Sequence, residues 1–107
     1  MKINFQLAHK ISVIQALLRH DERLLEFFFS HKRPGELRDS PAIVIQETGC
    51  LSKGEQLLIR AALDVWCGEG QTKLVDLLDS WDHLNWAAFL RAMVRLHELD
   101  WSDGEFL

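Results

Sequence analysis

The chain has 107 residues, of which 48% are hydrophobic and 26% charged, and a net charge of −4, which suits one domain with one core and needs no disulfide or metal to hold it. The longest apolar runs, Ala42 to Ile45 and the segment Leu24 to Phe29 broken by Glu26, fall far short of the roughly 18 to 20 residues that cross a bilayer. The acidic balance argues against nucleic-acid binding by phosphate neutralisation, and the composition excludes a disordered, low-complexity chain.

In chain order, Leu7, Ile11, Ile14 and Leu18 recur at the spacing of one helical stripe and predict a first helix over about residues 4–19. The polar cluster Arg19 to Arg23 predicts a break, after which Asp21 caps a second helix carrying Leu24, Leu25, Phe28 and Phe29. Pro34 and Gly35 end this region. The segment from Asp39 to Gly49 has β-branched residues at 43–45, yet Ser40 as cap, Pro41 at the first position and Gly49 as terminator favour a helix, because the chain offers no second strand to pair with. Any strand is expected to be a short stray near 42–46.

Ser52 followed by Glu55 is a capping box, opening a helix whose buried stripe is Leu58, Ala61, Ala62 and Val65. Gly68 stops it. Leu74, Leu77, Leu78 and Trp81 form a further short amphipathic helix capped by Thr72, and Asp82 caps a last helix over about 83–99. On that last helix the large apolar residues Trp86, Phe89, Leu90, Met93 and Val94 are expected to face inward, with Arg91 and Arg95 outside. The expected fold is therefore all-α: a compact single-domain bundle of five or six helices, some short, over residues 1–107, with an acidic, aromatic-bearing tail at 98–107.

The loop between the fourth and fifth helices, Gly68-Glu69-Gly70-Gln71-Thr72-Lys73, invites a phosphate or metal reading, and both fail. A P-loop needs lysine directly after its last glycine and a strand before it; here Gln71 follows Gly70 and a helix precedes. Placed on a calcium-binding loop with Gly70 at the turn, the ligand positions include Val65 and Lys73, which cannot ligate calcium. The loop reads as mechanical, with Gly68 in a left-handed cap and Gly70 permitting the reversal.

His9, His20 and His31 stand eleven residues apart, which on a helix separates neighbours by about 16 Å and prevents a shared ion. They read as solvated, with no metal and no cofactor. Cys50 and Cys67 read as small buried side chains kept reduced, and the polar N-terminal stretch predicts no secretory signal, so a cytoplasmic protein is expected. Asp76, Asp79 and Asp82 repeat every three residues and read as a solvated acidic stripe.

The halves differ in charge. Residues 1–53 carry eight Lys/Arg against six Asp/Glu, and residues 54–107 carry four against ten. In the tail, Trp101 and Phe106 are embedded among Asp100, Asp103 and Glu105, a pattern suited to a hydrophobic groove with a basic rim. Asp100, Trp101, Asp103 and Phe106, with Asp76, Asp79 and Asp82, are thus the candidate partner-binding residues of a non-enzymatic interaction or regulatory protein whose protein partner is basic. The alternative is an enzyme or small-ligand binder whose aspartates, histidines and cysteines converge only in the fold. No local catalytic motif supports it.

Overall fold

A computed structural model describes residues 2–96, with side chains from Leu7 onward. Six helices follow one another: α1 (Lys2–Leu17), α2 (Glu22–Phe28), α3 (Pro41–Glu47), α4 (Lys53–Cys67), α5 (Leu74–Ser80) and α6 (His83–Leu96), with a 3-10 turn at Thr48–Cys50 after α3. Among the described residues there is no strand; one isolated antiparallel bridge joins Phe29 to Leu37. No described helix is long and apolar enough to cross a membrane.

α1 and α2 are separate, as the polar cluster predicts. Arg19 and His20 both adopt left-handed backbone conformations, with φ of 63° and 52°, which costs a non-glycine residue roughly 1 kcal/mol or more. The turn they make returns the His20 amide to the Gln15 carbonyl at 2.8 Å. Asp21 then caps α2 by accepting from the Arg23 amide. Ser40 caps α3 with Pro41 at its first turn, so residues 42–46 are helical despite their β-branched character. Gly49 lies inside the 3-10 turn that extends α3 rather than after its end.

α4 is the hub. It packs against α1, α2, α3 and α5, while α6 packs along α1. Its capping box forms as the spacing of Ser52 and Glu55 demands. Its burial is wider than one stripe: Leu57, Ile59 and Leu63 are enclosed along with Leu58, Ala61 and Ala62, whereas Val65 is only half-buried. A helix with neighbours on several sides buries residues that a single-face periodicity assigns to solvent. The core consists chiefly of Val13, Ile14, Leu17 and Leu18 from the end of α1, Leu24 and Phe28 from α2, Val44 from α3, and Leu58, Ile59 and Leu63 from α4. Each is fully enclosed and contributes roughly 1.5 to 3 kcal/mol. Two aromatic groups flank this core. Phe28, Phe29 and Trp66 meet edge to face with centroids 4.9 to 6.1 Å apart; Trp86 meets Trp81 and Phe89 edge to face at 5.2 and 6.0 Å, and Trp81 and Phe89 are tilted at 5.6 Å. The Trp81 indole N–H donates to the Gly54 carbonyl.

α6 departs from its periodicity. Asn85, Ala88 and Ala92 are its buried residues, while Leu90 and Val94, expected inside, are 58% and 50% exposed. Small side chains let α6 approach α1 closely, and close approach decides which face turns inward. Trp86, Phe89 and Met93 are left half-buried on one shoulder.

This orientation has a measurable consequence. Ala92→Leu should destabilise by about 1 to 3 kcal/mol through overpacking against α1, while Leu90→Ala should stay within about 0.5 kcal/mol of the native chain. Urea denaturation of the two variants checks this, since the periodicity of α6 demands the reverse order.

Candidate functional site

The α4–α5 connection is built around one carboxylate. Asp64, in the last turns of α4, accepts hydrogen bonds from three consecutive backbone amides: Gly70 at 2.8 Å, Gln71 at 3.2 Å and Thr72 at 3.0 Å. Successive amides converging on one point form an anion-binding concavity, and here the chain's own aspartate fills it. Arg60, one turn earlier, donates to the Gly70 carbonyl at 3.1 Å. Burial alone would raise the Asp64 carboxyl, but Thr72 and the amides of Gly70 and Gln71 outweigh it and hold the group below the ordinary aspartate value. The Thr72 hydroxyl is buried without a hydrogen-bond partner in good geometry, so the three amides carry the effect.

The glycines differ in role from what the spacing suggests. Gly68 is the left-handed cap, with φ of 77°. The reversal, however, is made by Gln71, whose φ is 55°. Gly70 is needed for space: a Cβ there would lie 1.8 Å from the Arg60 carbonyl oxygen. Thr72 is not the cap of α5. Lys73 occupies that position, with no side-chain hydrogen bond.

Held by this loop, α5 lies on α4 with Leu77 and Trp81 buried. Leu74, Val75 and Leu78 are left 63%, 56% and 63% exposed, so only part of the expected apolar stripe is covered. Between α4, α5 and α6 runs a groove of about 300 Å³, whose apolar walls include Val65, Leu74, Leu77, Phe89 and Met93. Leu90 and Val94 follow Phe89 and Met93 by one position and extend the apolar surface over the outer shoulder of α6.

The three aspartates differ in their settings. Asp76 is half-buried and shares a separate cleft with Lys53, Arg60 and Lys73. Asp79 is exposed one turn beyond Val75. Asp82 caps α6, accepting from the Asn85 amide at 3.0 Å. Asp100, Trp101, Asp103 and Phe106 lie outside the described residues, as do His97 and Glu98.

Cys50 and Cys67 are free and exposed rather than buried, their thiols directed to the carbonyls of Glu47 and Leu63. Both stand at helix C-terminal turns, where the last side chains project outward. His20, His31 and His83 are exposed, and His9 is half-buried within 3.3 Å of the Leu96 carbonyl. Among the described residues, no three His, Cys, Asp or Glu side chains form a group that could hold a metal. What sequence reasoning missed is the outward turn of Leu90 and Val94. The signal was present in Ala88 and Ala92, four apart, marking a competing face of small residues.

The chain matches no known protein family, no characterised protein and no solved structure.

The loop yields a sign-defined prediction. Asp64→Asn should destabilise by about 1.5 to 3 kcal/mol at neutral pH, the range for hydrogen bonds to a charged acceptor. Because the folded-state carboxyl sits below its unfolded value, the contribution is complete above the ordinary aspartate range near pH 4. It disappears as pH falls through the lowered folded value. Denaturation curves of the native chain and of Asp64→Asn should therefore converge only in acid. A constant gap down to pH 2 would contradict the role given to the charge.

Proposed function

We propose that this chain is a small non-enzymatic interaction protein that receives an apolar, basic-flanked helical segment of a protein partner in the groove between α4, α5 and α6. The observation that carries the reading is the orientation of α6, which buries Ala88 and Ala92 and lets Phe89 and Met93 line the groove with Leu74, while Leu90 and Val94 on α6 and Val75 and Leu78 on α5 stay exposed on the same two helices. Adjacent exposed apolar residues of this size are a standing cost in a monomer, and a covering partner removes it. An amphipathic helix matches such a groove, because its apolar residues recur at three- and four-residue intervals along one face. The charge of the partner follows from Asp79 on α5, which is exposed and takes part in no ion pair among the described residues. A segment with lysine or arginine beside its apolar face would place a cation against it. The two exposed thiols accord with a reducing, cytoplasmic setting, which belongs to the same proposal.

Two synthetic helical peptides with the same leucine pattern, one with lysine and one with glutamate at the polar positions, test the reading. Titrated into the labelled protein, the lysine peptide should give saturable amide shifts centred on Leu74, Leu78, Phe89 and Leu90. It should bind at least tenfold more tightly than the glutamate peptide. Leu78→Asp should abolish those shifts while changing stability by no more than about 0.5 kcal/mol, as expected for an exposed position. Shifts centred on another face, or a Leu78→Asp variant that binds normally, would overturn the proposal. So would self-association on sedimentation that Leu78→Asp dissolves, since a second copy would then cover the groove.

A further inference from the structure

The opposite flank of α6 presents different chemistry. Arg91 and Arg95 are four residues apart and therefore lie on one side of the helix, away from Phe89 and Met93. There they face the turn that ends α1, and Arg91, Arg95, Arg19 and His20 line one cleft of about 340 Å³, with Ala16 and Leu84 as its apolar wall. This is within the lower range of small-ligand clefts.

We infer that this cleft binds an external oxyanionic group of the phosphate type, through the guanidinium groups of Arg19, Arg91 and Arg95.

Three observations support it together. The first is the charge balance. The ion pairs among the described residues join Arg23 to Asp21 and Glu55 and Arg38 to Glu47, and the His31 ring stands 4.0 Å from Glu26. None reaches Arg19, Arg91 or Arg95, so three cations share one cleft to which no described residue contributes a carboxylate, and like charges gathered in this way are relieved by an anion. The second is orientation by neutral groups. Arg19 donates to the Asn85 side-chain carbonyl at 3.2 Å, and Arg95 donates to the Ser12 hydroxyl at 2.8 Å. Each guanidinium has five N–H donors in a planar fork, so a single neutral contact fixes its place and leaves most donors free for a bidentate oxyanion. Asn85 is itself held: it is buried, and its amide nitrogen lies so close to Gly54 that a Cβ there would stand 2.9 Å away. The third is the backbone. Arg19 and His20 are the two adjacent non-glycine residues in left-handed conformation, and the side chains of both line the cleft beside α6. Strain of this kind at a side-chain cluster is a recurrent feature of ligand sites.

The inference is independent of the groove between α4, α5 and α6, which lies on the other shoulder of the same helix. The probes are inorganic pyrophosphate and succinate at constant ionic strength, followed through the arginine Nε–Hε signals of the full chain. Pyrophosphate should shift the signals of Arg19, Arg91 and Arg95 saturably, with half-saturation at millimolar concentration or below. Succinate should bind at least fivefold more weakly. Arg91→Gln, at an exposed position, should weaken pyrophosphate binding tenfold or more, while Arg33→Gln, an exposed arginine elsewhere, should leave it unchanged. Equal linear drift of all arginine signals would overturn the inference, since that is ionic atmosphere alone. Equal binding of succinate would overturn its phosphate character. If the native chain binds nothing while Glu98→Gln with Asp100→Asn gains pyrophosphate binding, the chain's own carboxylates close the cleft and no external ligand belongs there. Leu78→Asp should have no effect, which separates this outcome from any failure at the groove.

Discussion

The carboxylate of Asp64 fixes the loop that joins α4 to α5. α5 has seven residues and no side-chain cap of its own, too short to be stable by propensity. Its place is set by the loop before it, and that loop is set by the three amides gathered on Asp64. The loop is drawn so close to α4 that Gly70 has no room for a side chain against the Arg60 carbonyl. A glycine-rich loop that resembles a phosphate cradle in composition is thus a self-filled one, with its anion supplied by the preceding helix.

Downstream of that loop, α6 is oriented by packing rather than by total hydrophobicity. Two opposing preferences meet on it. Its larger apolar residues would gain more by burial, yet Ala88 and Ala92 allow a tight approach to α1, and dense contact along that seam wins. The result divides the helix into a packed seam, an apolar shoulder beside the groove and a basic shoulder beside the end of α1. Both proposed sites are consequences of this single rotation, although their chemistries are opposite and their tests independent.

The break between α1 and α2 belongs to the same account. The chain does not continue as one helix through Arg19 and His20. The left-handed turn instead places them opposite Arg91 and Arg95, joining residues more than seventy positions apart in one cleft.

Local rules were legible from the residues themselves: the break at Arg19 to Arg23, the caps at Asp21, Ser40 and Asp82, the capping box of Ser52 and Glu55, and the left-handed Gly68. Each depends on groups within a few residues, so sequence contains the whole interaction. The helical class followed from them. Tertiary structure alone decided what depends on distant neighbours. It buried Leu57, Ile59 and Leu63 because α4 is surrounded, turned Leu90 and Val94 outward because α1 prefers the alanines, and left Leu74 and Leu78 exposed because α5 lies on the side of α4 rather than within the core. It also separated Asp76, Asp79 and Asp82 into three different roles and drew Asp64 to the loop amides. Periodicity states that a helix has an apolar face, but the shape of the opposing surface determines which face is covered, and that shape is a property of the assembled chain.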